Sequence, residues 1–323
     1  MRVIRATRFG GPEVLVPSEA PEPVAGPGQV VVEVSAAGVL FVETQIRRGQ
    51  LHGYFDVEPP YVPGDDVAGL VIAVGEGVDS GWIGRLVVAR RSVSGGYAEQ
   101  ALYPVENVVE VPGGMELPQA AALMPDAITA LALMDAAEIK PDEWVLITAS
   151  AGGLGSLLVQ LAHAAGARVI GAARGKAKLD LSRELGADVA IDYTDPDWLE
   201  QVREVTGGHG ADMVFDGVGG QLGTAAFKVT ADGGGFSAHG APGGGFAEID
   251  PAEAERRGVT LRGIAHVQLA LEDASRLAVR ALAEAAAGRL RPVIGRTYPL
   301  EKAADAHTAI EARDFIGKLL LLP

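Results

Sequence analysis

The chain reads as an α/β protein: a doubly wound parallel sheet set between β-rich segments from both ends of the sequence. Three observations predict this. Apolar runs alternate with helical patterns through residues 121–265, the rhythm of strands joined by crossover helices. Within that region the run Trp144 to Ile147 leads to glycines at Gly152, Gly153 and Gly155, then to Leu157, Leu158, Leu161 and Ala162 at helical spacing. Before it, short valine-rich runs punctuated by Gly and Pro fill the first 120 residues.

Composition sets the outer bounds. The chain has 323 residues, room for two ordinary domains, and is 48% hydrophobic, enough for a sizeable core. Aromatics are only 5%, so that core is built mainly of Val, Leu, Ala and Ile. With 27 basic against 42 acidic residues the net charge is −15, which argues against a general nucleic-acid or anionic-membrane binder. A local basic pocket for an anionic cofactor remains compatible with it. There is no cysteine, which removes disulfides, thiolate chemistry and any cysteine-ligated zinc. No apolar h-region follows Met1-Arg2-Val3-Ile4-Arg5, and no run approaches the roughly 20 residues of a membrane span. The expected location is the cytoplasm.

In chain order, Val30 to Val34, Val67 to Val74, Leu86 to Ala89 and Val108 to Val111 read as strands, interrupted by a helix at Val42 to Arg48. Short strands at this spacing predict a partly open barrel. Pro118 to Met124 and Ala127 to Glu138 are alanine-rich and helical. The strands of the parallel sheet follow at Trp144, at Arg168 to Ala173, at Val189 to Asp192, at Met213 to Gly217, at Gly235 to Ala238 and at Leu261 to Ala265. Helices at Lys176 to Leu185, Pro196 to Thr206 and Leu222 to Val229 lie between them. A long helix at Glu272 to Gly288 and an apolar strand at Gly317 to Pro323 close the chain.

Strand, glycine turn and helix give the pattern Ala149-x-x-Gly152-x-x-Gly155, a relaxed form of the dinucleotide fingerprint. The segment Ala151, Gly152, Gly153, Leu154 and Gly155, small at every position but Leu154, lets backbone N–H groups approach a pyrophosphate, with the positive end of the new helix facing it. An NAD-selective Rossmann fold places Asp or Glu at the end of the second strand to hold the ribose 2′-OH. Here that position is Arg174, in a stretch with no carboxylate until Asp180. A guanidinium suits a 2′-phosphate, because its fork makes paired charge-assisted hydrogen bonds. The expected cofactor is NADPH. Val218, then His239 and Gly240, follow the fourth and fifth strands, at the end where a nicotinamide lies.

Several longer motifs are then recognisable. Ala36-Ala37-Gly38-Val39 with Glu43-Thr44 and Ile46-Arg47-x-Gly49, Pro63-Gly64-Asp65-Asp66-Val67-Ala68-Gly69, Gly95-Gly96-Tyr97-Ala98-Glu99 and Gly317-Lys318-Leu319-Leu320 join the cofactor segment. Together they resemble the medium-chain dehydrogenase/reductase superfamily, and most closely its zinc-free quinone oxidoreductase branch, over essentially the whole chain. The resemblance implies a GroES-like β-barrel catalytic domain built from residues 1–120 and 266–323, with a Rossmann domain at 121–265 inserted between. It implies that Lys178 and Tyr193 share the 2′-phosphate and that Thr129 packs near the nicotinamide, an ordinary helix residue being the competing reading. On the substrate side it points to Leu40, Glu43, Arg47 and Tyr54. Arg47 and Tyr54 would line the substrate mouth, and Glu43 is either catalytic or structural. Zinc-dependent relatives place a cysteine near Leu40 and Gly-His-Glu where Gly64-Asp65-Asp66 stands, so no metal is expected. The implied activity is transfer of hydride from NADPH to a quinone or another conjugated carbonyl. Reduction of an enone or enoyl thioester is the alternative, and a non-catalytic NADPH-binding protein is a third reading. A homodimer paired through the edge strand Leu261 to Ala265 is the expected assembly.

Overall fold

The computed structural model describes residues 1–51, 55–90 and 95–323. The chain forms two compact units, Met1–Pro125 with Leu271–Pro323 and Asp126–Ala270.

The first unit begins with an antiparallel ribbon of β1 (Arg2–Ala6) and β2 (Leu15–Glu19). Next come β3 (Gln29–Val39), α1 (Phe41–Arg47), β4 (Val67–Val74), β5 (Leu86–Ala89), β6 (Gln100–Pro104), β7 (Val108–Glu110) and α2 (Leu117–Leu123). The valine-rich β3 is its organising strand, because Val30, Val31, Val32 and Val34 are all buried. It pairs antiparallel with β4 and with β6. The alternating apolar side chains of these strands meet Tyr97, Tyr103 and the buried leucines of the chain's end in one core.

The second unit runs α3 (Asp126–Ala137), β8 (Trp144–Thr148), α4 (Gly153–Ala164), β9 (Arg168–Ala173), α5 (Lys176–Glu184), β10 (Val189–Asp192), α6 (Trp198–Val205), β11 (Ala211–Asp216), α7 (Gly220–Phe227), β12 (Thr230–Ala238), α8 (Pro251–Arg256) and β13 (Thr260–Gly263). Its strands are all parallel, in the order β10-β9-β8-β11-β12-β13. The order reverses at β8, and in such sheets ligands bind beyond the carboxyl ends of the strands at that switch. β8, β9 and β11 are almost continuously buried, as strands covered on both faces must be. The chain then returns to the first unit with α9 (Leu271–Ala286), β14 (Ile294–Pro299), α10 (Ala303–Ala312) and β15 (Lys318–Leu322). β15 adds to β3 antiparallel and β14 adds to β15, which seats the chain's end in the first unit's sheet.

Two details differ from the sequence reading. The unit boundaries fall after Pro125 and Ala270, not after 120 and 265, because α2 buries Ala120 to Leu123 against β3, β4 and β15. The sixth strand ends at Gly263 and turns into a short 3-10 segment, Ile264–Val267, without reaching Ala265 as strand. No single helix among the described residues is long and apolar enough to cross a membrane.

Candidate active site

β8 delivers the chain to Ala149, whose φ of +53° puts an alanine in the left-handed region, at a cost of about 1–2 kcal/mol. Gly152 N–H donates to Ala149 O at 2.9 Å and closes the turn. Gly152 is then the N-cap of α4 and offers no side-chain cap, so the first-turn amides face outward with no protein side chain accepting at the cap. Gly155 is required by close approach: a Cβ there would lie 2.2 Å from Ala149 O, a backbone atom that cannot yield. Ala151 and Gly155 are buried, while Gly152, Gly153 and Leu154 remain half-buried at the sheet's carboxyl end. An uncapped helix start with this backbone access fits a pyrophosphate.

The neighbouring strand ends carry the basic group. β9 and β10 pair so that Asp192 lies opposite Ala173, bringing Arg174, Lys178 and Tyr193 to one end of the sheet. Arg174 is exposed, and Lys178 and Tyr193 are half-buried. The acid among them, Asp192, accepts from Gly175 N at 2.9 Å and from Thr194 Oγ1 at 2.6 Å. Partial burial pulls its pKa up, but the bonds from Thr194 and Gly175 and the Arg174 charge leave it below the usual carboxylate range. Asp192 is thereby committed to shaping the turn, and the cationic donor set fits a 2′-phosphate.

At the ends of β11 and β12, Val218 and His239 are buried and Gly240 is half-buried. His239 Nδ1 lies 3.3 Å from Ser237 Oγ, and burial pushes the pKa of its ring down to about 4, so it is neutral at ordinary pH. Thr129 is half-buried on α3 in the same unit.

In the first unit Leu40 is the N-cap of α1, and its N–H donates to Glu43 Oε2 at 2.9 Å, a glutamate reaching back across the first turn. The same Oε2 accepts from Tyr97 Oη at 2.6 Å. Tyr97 Oη lies 3.0 Å from His307 Nε2, and His307 Nδ1 lies 3.1 Å from an Arg47 guanidinium nitrogen. A guanidinium only donates, so His307 Nδ1 accepts and its proton resides on Nε2, directed at Tyr97. The bonds therefore run one way, from Arg47 through His307 and Tyr97 to Glu43. Glu43 Oε1 is buried and accepts no hydrogen bond among the described residues. Burial pushes the Glu43 pKa up to about 7 against the opposing Tyr97 and Leu40 bonds, and burial with the nearby Arg47 charge pushes His307 down to about 3.

Arg47 corrects the sequence reading. It was expected at a substrate mouth, but it is 0% exposed, donates to Gly10 O at 3.1 Å and pairs with Glu311 at 2.5 Å. A buried guanidinium needs such partners, and those partners hold it between α1 and α10. Tyr54 lies outside the described residues.

Two family models match. One described as alcohol dehydrogenase GroES-like domain covers residues 26–113, and one described as zinc-binding dehydrogenase covers 153–284. The quinone oxidoreductase of Sus scrofa is 35% identical over 327 residues, spanning 100% of this chain and 98% of that protein. The chain belongs to the quinone oxidoreductase branch of the medium-chain dehydrogenase/reductase superfamily. It is therefore an oxidoreductase. The 2-haloacrylate reductase of a Burkholderia species is 34% identical over 97% of this chain and 96% of its own. The solved quinone oxidoreductase of Escherichia coli, complexed with NADPH, matches with a TM-score of 0.92 at 28% identity over 100% of both chains.

For a member of this branch, three residues of its candidate site escaped the sequence reading. Tyr97 sits inside a quoted motif, yet only the fold shows its hydroxyl on Glu43. His307 lies on the buried stripe Ala303, Ala306, His307, Ile310 of α10, a helical spacing that the sequence displays. Asp216 ends the buried strand β11 just before Gly217-Val218-Gly219-Gly220, and an acid there is the available signal.

Proposed function

We propose that this oxidoreductase reduces a quinone or another conjugated carbonyl with NADPH, without zinc, as a cytoplasmic homodimer. The observation that carries the cofactor is the end of β9, where Arg174 stands exposed at the same sheet end as half-buried Lys178 and Tyr193. When bound, NADPH supplies hydride from its nicotinamide ring. The first-turn amides of α4 hold the pyrophosphate, and Arg174, Lys178 and Tyr193 hold the 2′-phosphate. Val218, His239, Gly240 and Thr129 face the nicotinamide half. His239, neutral down to about pH 4, brings no positive charge to a ring that becomes cationic on oxidation.

Leu40 presents an apolar side chain where zinc-dependent relatives hold a metal ligand, and the chain has no cysteine to supply one. A conjugated acceptor suits such a site because it spreads the arriving charge over its own π system, reducing the need for a Lewis acid. Reduction of an activated alkene is the second reading, favoured by the full-length similarity to a 2-haloacrylate reductase.

The test follows NADPH and NADH oxidation with panels of quinones, enones and haloacrylates. Arg174→Ala raises the KM for NADPH on the order of tenfold, since a hydrogen bond to a charged group contributes about 1.5–3 kcal/mol. Its kcat and its NADH kinetics hardly change, because the phosphate is bound alike in ground and transition states. Chelator leaves turnover intact. Equal damage to both cofactors overturns the Arg174 assignment, and NADPH binding without turnover of any acceptor returns the non-catalytic reading.

A further inference from the structure

We infer that Asp216 is the positioning residue for the nicotinamide half of the cofactor, acting through the loops that leave β11 and β12. The inference rests on the proposed NADPH site.

Asp216 is a carboxylate with 0% exposure, and a charge is kept in such a place only when its oxygens are satisfied. Its partners all lie at one end of one sheet. Oδ1 accepts from Thr148 Oγ1 at 2.9 Å and from the N–H groups of Val218 and Gly219 at 3.1 Å each. Oδ2 accepts from Gly219 N–H at 3.1 Å. Its main-chain oxygen accepts from His239 N at 3.2 Å and Gly240 N at 2.9 Å. Thr148, while donating to the carboxylate, accepts from Gly217 N at 2.9 Å.

One side chain thus ties the last residue of β8 to the loop after β11, and its own carbonyl fixes the start of the loop after β12. These are adjacent strands at the switch point, and Val218, His239 and Gly240 sit on the two loops so tied. The space around the carboxylate is committed as well. A Cβ at Gly223 would stand 2.1 Å from Asp216 Oδ2, so α7 can pack there only because that residue is glycine. The bonds of Asp216 run to Thr148, Val218, Gly219, His239 and Gly240 and not to Arg174, Lys178 or Tyr193, beside which the turn at Gly175 is held by Asp192. The two halves of the cofactor site therefore have separate carboxylate anchors, one for each end of the ligand.

That separation supplies a readout that a general loss of folding would not give. Asp216→Ala and Asp216→Asn are compared with wild type by fluorescence titration of NADPH and by calorimetric titration of 2′,5′-ADP, which carries only the adenosine half. Far-UV circular dichroism checks the fold of each variant. Asp216→Ala weakens NADPH on the order of tenfold, leaves 2′,5′-ADP within about twofold and lowers kcat. Asp216→Asn is intermediate, because its remaining oxygen still accepts from Thr148 and Val218 while its amide opposes the Gly219 N–H. Should Asp216→Ala not fold, the Asn variant carries the comparison. Equal weakening of both ligands, or unchanged NADPH affinity, overturns the inference. Wild-type protein that binds NADPH but not 2′,5′-ADP counts against the Arg174 assignment, and Asp216 is then judged by NADPH affinity, which must still fall.

Discussion

Glu43 and His307 are joined through Tyr97 yet titrate in opposite directions, and this sets how stability depends on pH. Glu43 is raised from an ordinary 4.5 to about 7 in the folded chain, so its contribution is full below pH 4.5 and lost as pH rises through 7. His307 and His239 are depressed from 6.5 to about 3 and about 4, so theirs is full above 6.5 and lost as pH falls. Asp66 and Lys318 also act on Glu43, Asp66 disfavouring its charge and Lys318 favouring it. Two rising contributions against one falling place maximum stability near pH 6.5, from these groups. Glu43→Gln removes the falling one, and its melting temperature relative to wild type climbs between pH 4.5 and 7. A constant offset across that range in calorimetry would sink this account. The sequence displayed Glu43 as a carboxylate beside the expected site. It could not display the direction of the bonds, because Arg47, Tyr97 and His307 are distant in sequence and meet only through packing.

The turn between β8 and α4 shows how much one element can reveal by itself. Strand, glycines and helix follow from local pattern, since an apolar run of this length, a breaker and a 3.6-residue period each have a local cause. The need at each glycine is a separate matter of contact. Alanine ordinarily suits a helix better than glycine by about 1 kcal/mol. Gly155→Ala nonetheless destabilises by roughly 1–3 kcal/mol, because its methyl meets the Ala149 carbonyl at 2.2 Å and something must shift. Ala149→Gly relieves a left-handed alanine and leaves stability unchanged or about 1 kcal/mol higher. Urea titration of both variants checks the pair, and a Gly155→Ala protein as stable as wild type would refute the close-approach argument. Elements without a clean pattern escaped the sequence reading. β1 mixes arginines into its strand, β6 ends on a proline, and α10 carries a histidine on its buried stripe.

At the scale of the whole molecule, the second unit ends its sheet on β13, which among the described residues pairs only with β12. Such an edge presents unpaired backbone groups, and antiparallel pairing with a symmetry mate closes them in a two-fold dimer. Light scattering at micromolar concentration is expected to return twice the chain's mass. A monomeric wild type rejects the proposed assembly. The sequence by itself determined the alternating parallel sheet, the glycine turn, the basic end of β9 and the lack of cysteine ligands. Each of these depends on residue type and local period, which the chain carries without folding. Tertiary structure decided that Arg47 is an internal strut, that His307 is neutral and points its proton at Tyr97, and that Asp216 gathers three strand ends. Burial and hydrogen-bond direction arise only when distant segments exclude water together, and no local pattern records which segments those are.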